Sequence, residues 1–179
     1  MDSKPILCGD SIFRRLYEAY PYHFNPFSSM FCVSGQTISD LKNLLKVHRS
    51  DINGKVVCVM IGTNDFLVGR PLLTCKSDLK SLVLVLKRLC REVFVLEILP
   101  LATHLVSSTV NCNIFKFNSY IQSFNGCVKV LPVRCFNTCD VVNVSLYNEF
   151  YIGSSKVDLI HPNEEGLCKL LEIILASFL

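Results

Sequence analysis

The 179-residue chain lacks any run of about 18 uncharged apolar residues, the length a membrane-spanning helix requires. Its oiliest stretches, Lys55 to Asn64, Val93 to Thr103 and Leu170 to Leu179, are all too short. The N-terminus reads Met1-Asp2-Ser3-Lys4-Pro5 and the apolar stretch behind it ends at Asp10, so no signal peptide is expected. Glycine and proline are scarce, 8 and 7 residues, which excludes collagen-like and low-complexity chains. No Pro/Gly/Ser linker, charge block or internal repeat divides the sequence. Charge is scarce as well: 18% of residues, with a net +3 and a pI near 8.3, short of the strongly basic footprint of a dedicated nucleic-acid binder. What remains is half apolar, with a mean hydropathy of +0.39. The length suits one core of about 100–200 residues. The expectation is a single soluble domain over residues 1–179.

The ten cysteines include no C-x-x-C pair. Cys135 and Cys139 are four apart with Cys112 upstream, but no histidine lies near enough for a zinc finger, so no metal is expected. Cys8, Cys58, Cys90 and Cys168 sit inside apolar runs, where a thiol behaves as a small hydrophobe. With no targeting segment, the expected compartment is the reducing cytoplasm and the thiols are expected to be free.

Short apolar runs alternate with amphipathic ones along the whole chain. Pro5–Gly9, Met30–Val33, Lys55–Ile61, Val93–Leu99 and Val128–Val133 are rich in Val, Ile, Leu or Phe and bounded by turn residues, which predicts strands buried on both faces. Helical periodicity predicts helices over Ile38–His48 (Thr37 capping, Asp40 completing the box), Ser77–Arg91, Ile114–Phe124 and Asn163–Phe178. The alternation of strand and helix predicts a parallel sheet covered by helices, whose ligands lie beyond the carboxyl ends of the strands.

Four motifs fall at those ends. Gly9-Asp10-Ser11 follows the first strand and places Ser11 at a helix start, although such a triplet is also ordinary turn chemistry. Ser34-Gly35-Gln36-Thr37 puts a glycine where a ligand can approach the backbone, or where a bare turn needs one. Gly62-Thr63-Asn64-Asp65 presents the Asn64 amide, which an Asx turn or a helix cap accounts for equally. Asp158-Leu159-Ile160-His161-Pro162 places a carboxylate three residues before the only histidine so accompanied; a polar loop leading into a helix is the alternative. Together the four supply a nucleophile, a base, a residue to orient the base, and donors for an oxyanion.

In this order the blocks resemble the SGNH (GDSL-type) serine hydrolase family, and the likeness runs from residue 9 to 166. The resemblance implies an α/β fold: a three-layer, flavodoxin-like α/β/α sandwich with a five-stranded parallel sheet. It implies Ser11 as nucleophile, His161 as general base and acid, Asp158 orienting His161, and an oxyanion hole from the Ser11 and Gly35 N–H groups and the Asn64 amide. The function expected on that basis is a serine esterase, acting on a small-molecule or lipid ester through an acyl-enzyme on Ser11 and needing no cofactor. Tyr151, in the aromatic segment before Asp158, together with Phe66 and His104, are the candidate substrate-binding residues. The G-x-S-x-G elbow of an ordinary α/β-hydrolase is absent, since Ile12 and Phe13 follow Ser11. The alternative is a binding module on the same scaffold without catalysis, an RNA- or protein-interaction domain like the RNA-associated domain of Oskar-type proteins or those of retroelement-encoded proteins. Arg14-Arg15 and the basic residues Lys80, Lys87, Arg88 and Arg91 keep a nucleic-acid partner open, although the second group lies on a predicted helix whose other face is leucine-rich, where a plain solvated face accounts for it first.

Overall fold

A computed structural model of the chain describes residues 4–101, 108–133, 161–162 and 164–178. In chain order its elements are β1 (Ile6–Gly9), α1 (Ser11–Ala19), α2 (Ser28–Phe31), α3 (Ile38–Val47), α4 (Arg49–Ile52), β2 (Val56–Met60), α5 (Thr63–Leu67), α6 (Leu72–Leu89), β3 (Glu92–Leu96), α7 (Ser108–Gln122), β4 (Lys129–Leu131) and α8 (Glu164–Leu175). A 3-10 turn, Pro21–His23, follows α1. The strands form one parallel sheet in the order β1-β2-β3-β4. Every residue of β1 and β2 is buried, which requires helices against both faces. Helix α1 packs on α8, while α3 packs on α6 and α6 on α7.

The sheet has four strands among the described residues, where five were expected. Met30–Val33 is the segment that differs. One helical turn occupies Ser28–Phe31, and Cys32 contributes only a single parallel bridge to Gly9. Side chains do the pairing that a strand would have done. Ser28 Oγ accepts from Leu7 N–H at 2.9 Å and Cys32 Sγ donates to the Leu7 carbonyl at 3.3 Å, so side chains satisfy the outer edge of β1 at Leu7, while Asn25 and Val33 N–H donate to the Pro5 and Gly9 carbonyls on either side.

A similar substitution ends β3 early. Beyond Leu96 the extended chain is held by polar side chains spaced along α7. Asn118 Oδ1 accepts from Ile98 N–H (2.9 Å) while its Nδ2 donates to the Ile98 carbonyl (2.8 Å), and Asn111 makes the same pair of bonds to Leu101. The amides stand in for a neighbouring strand, and they explain why α7 carries asparagine on its inner side.

Helix α3 starts as its sequence predicts. Thr37 Oγ1 accepts from Asp40 N–H, the Asp40 carboxylate accepts from Thr37 N–H, and Ile38, Leu41 and Leu45 are buried. Among the described residues no helix is long and apolar enough to cross a membrane.

Candidate functional site

β1 delivers the chain to the site at Gly9. A Cβ there would collide with the Met60 carbonyl oxygen, so glycine allows β1 and β2 their close approach. Asp10 follows, nearly fully buried, and caps α1 by accepting from Ile12 N–H at 3.0 Å. Burial pushes its carboxyl up to about 6, and the nearby Asp65 carboxylate adds to the rise. Ser11 is thereby the first residue of α1, half-buried, at the positive end of the helix.

Two buried side chains bring the neighbouring loops to Ser11. Gln36 Nε2 donates to the Gly9 carbonyl at 2.9 Å, which ties the loop carrying Gly35 to the end of β1. Asp65, with no exposed surface, accepts from Ile38 N–H at 3.0 Å and pairs with Arg70, which also bonds Asp78 at 2.6 Å. Burial raises the Asp65 pKa, against the lowering effect of Ile38 N–H and Arg70. Gly35 has φ +76°, the left-handed region that suits glycine, and open space where a Cβ would stand. Asn64, on α5, directs Nδ2 to the Gln36 carbonyl at 3.1 Å.

The closing contact spans almost the whole chain: His161 Nε2 and Ser11 Oγ share a hydrogen bond of 2.7 Å. Together Ser11, Arg14, Arg15, Glu18, Ser34, Gly35, Asn64 and His161 line a cleft of about 460 Å³. Ser11, Gly35, Asn64 and His161 are thus brought together as their motifs predict. Asp158, His104 and Tyr151 lie outside the described residues. Phe66 is a correction: it is buried in the core, edge-to-face on Phe117 with centroids 5.3 Å apart, because α5 turns it inward against α7 and away from the cleft. Arg14 and Arg15 are legible in the sequence only as a basic pair. Their offsets of three and four from Ser11 place them on the Ser11 side of α1, and that spacing is the signal that finds them. Arg14 Nε also bonds Glu18 at 2.8 Å.

A parallel sheet with Ser11, Gly35, Asn64 and His161 gathered beyond its strand ends defines a domain of the SGNH-hydrolase fold. The lipase/acylhydrolase from Enterococcus faecalis is similar in structure, with a TM-score of 0.75 over 98% of this chain and 95% of that one, but at 16% identity the likeness extends to the fold alone. Residues 14–166 match the family model of the OSK domain, and the chain belongs to that family. The crystal structure of the OSK domain of Drosophila Oskar is similar at 25% identity, with a TM-score of 0.77 over 96% of this chain and 86% of that one. The maternal effect protein oskar of Drosophila melanogaster is 25% identical over 159 residues, 87% of this chain. The chain spans about a quarter of that relative's length. Membership of the OSK family overturns the expectation of a serine esterase with an acyl-enzyme on Ser11, and favours the alternative of a binding module without catalysis. The motifs mislead because one fold is common to hydrolases and OSK domains alike.

Proposed function

We propose that this chain is a non-catalytic interaction domain and that its partner is single-stranded RNA. The observation that carries the reading is the make-up of the cleft. Its described lining has Arg14 and Arg15 against one carboxylate, Glu18, which pairs with Arg14, and no apolar side chain, so the hydrocarbon wall that an acyl or alkyl group needs is missing from that lining, while the charge balance there favours an anion. The Asn64 amide fits the same reading, since one of its hydrogens is directed at the Gln36 carbonyl, within the protein. The OSK-family match supports it over residues 14–166, in line with the RNA association that the Oskar-type resemblance implies. We take the chain to act as one domain.

The test is a gel shift with labelled single-stranded RNA at low and moderate salt, run beside hydrolysis of p-nitrophenyl acetate. The expected result is RNA binding that weakens as salt rises, with no hydrolysis beyond that of Ser11→Ala. Absence of any RNA shift at low salt overturns the proposal, as does ester turnover that Ser11→Ala abolishes.

A further inference from the structure

A second concave feature lies away from the serine–histidine cleft. Lys46, Arg49, Val85, Arg88 and Leu89 line a groove of about 300 Å³. Lys46 is in the last turn of α3, Arg49 opens α4, and Arg88 is in the last turn of α6, so two packed helices and the turn between α3 and α4 converge on it. The start of α3 is pinned near the cleft by Asp65. The eight steps from Ile38 to Lys46, at 1.5 Å each, carry Lys46 about 12 Å away, to the opposite end of the sheet. Two backbone bonds fix that end: Gly54 N–H to the Leu89 carbonyl (2.8 Å) and Arg91 N–H to the Lys55 carbonyl (2.8 Å).

All three cations are exposed, and among the described residues none has an ion-pair partner. Lys46 and Arg88 complement the negative ends of their helices, an ordinary role for a cation. Arg49 directly follows the C-cap of α3 and lies within the single turn of α4, so it stands beside the same negative helix end as Lys46. The groove therefore gathers three cations that no carboxylate pairs among the described residues, over a floor formed by Val85 and Leu89.

We infer that this groove is a phosphate-tracking site for the backbone of single-stranded RNA, with Arg49 and Arg88 forking onto phosphate oxygens and Lys46 adding a point charge. The inference rests on the RNA reading above and adds to it a second contact surface, apart from the serine–histidine cleft. Concavity favours a strand over a membrane, which needs a flat or convex face, and the aliphatic floor suits the face of a ribose or base. Guanidinium forks match phosphate geometry, and a flexible single strand can follow a groove that ends between helix termini, where a stiff duplex cannot.

The experiment measures binding of labelled oligouridylate across a salt series for three proteins, each the whole chain. They are the wild type, the groove variant Lys46→Gln/Arg49→Gln/Arg88→Gln, and a control, Lys80→Gln/Lys116→Gln/Lys169→Gln, which removes equal charge at exposed positions elsewhere. Deprived of the three cations that meet phosphate, the groove variant is expected to bind roughly tenfold or more weakly at low salt, with a salt slope shallower by about 2. The control stays near wild type. Circular dichroism confirms folding, and the single variant Arg88→Glu, expected to weaken binding in the same direction, replaces the triple if that fails to fold. Equal weakening in groove variant and control overturns the groove as a site, leaving only diffuse charge. Unchanged binding in the groove variant overturns the groove while the RNA reading stands, whereas a wild type that binds no RNA overturns both. Tighter binding to phosphatidylserine vesicles than to RNA, abolished in the groove variant, also overturns the inference and makes the site a membrane contact.

Discussion

Asp10 is the most informative position at which to perturb this fold, because its carboxyl is buried at the N-terminus of α1 with a second buried carboxyl, Asp65, nearby. Its folded pKa of about 6 stands above the ordinary 3.8, so the native state holds that proton more tightly than the unfolded chain does. The stabilisation from protonating Asp10 is therefore fully present below about pH 4 and is lost as pH rises through about 6. A rise from 3.8 to about 6, at about 1.4 kcal/mol per pH unit, makes the loss about 3 kcal/mol. Asp10→Asn keeps an oxygen to accept from Ile12 N–H and removes the titration; Asn and Asp cap helices about equally well. Denaturant unfolding of both proteins from pH 4 to pH 7.5 should show the variant gaining on the wild type by up to about 3 kcal/mol as pH rises, with near-equal stability at the acidic end. Taking the difference between the two proteins cancels the groups that titrate identically in both. A difference that stays constant over this range, or a variant that loses ground at pH 7, would refute the claim that burial dominates at this carboxyl.

Gly62→Ala should destabilise the fold by about 2 kcal/mol, since φ is +132° and the new Cβ would lie 2.9 Å from the Phe117 ring; the unfolding midpoint reads it. Asn118→Ala leaves the Ile98 N–H and carbonyl without their partner in a buried setting and should cost about 3 kcal/mol in denaturant unfolding. A cost below about 1 kcal/mol would mean water takes the amide's place. Thr37→Ala should cost about 1 kcal/mol by removing the cap of α3. Its hydrogen bonds hold the Asp40 carboxyl below the usual range, so the same variant should move the Asp40 titration, followed by NMR, to higher pH.

The elements legible in the sequence are those made by contacts within a few residues. Thr37 and Asp40 announce a helix because both halves of the capping box lie within four positions, and the continuous Val56–Met60 run announces a strand because both its faces must be apolar. Met30–Val33 misleads for a related reason: a short apolar run looks alike in a strand and in a buried helical turn. What decides it is Ser28 Oγ on the Leu7 N–H, a bond between positions 21 residues apart. The early end of β3 is hidden likewise, since Asn118 is twenty residues from the Ile98 it clamps. The cleft is half visible. Its motifs can be placed at strand ends from the sequence, but Gln36 and Asp65 read as loop and cap residues until their bonds across 27 positions are seen.

The sequence by itself determined the strand–helix alternation, the starts of α1 and α3 and the side of the sheet on which Ser11, Gly35, Asn64 and His161 assemble, because periodicity and capping act locally; α6 and α7 begin at Leu72 and Ser108, ahead of the expected Ser77 and Ile114. Only the tertiary structure decided what surrounds those residues. It brought His161 to Ser11 across 150 positions, turned Phe66 into the core, set Arg14 and Arg15 beside the serine, and gathered Lys46, Arg49 and Arg88 at the far end of the sheet. The physical reason is that charge and apolar surface act on a ligand by where they stand in space, and in this chain those positions are fixed by buried hydrogen bonds between segments far apart along it.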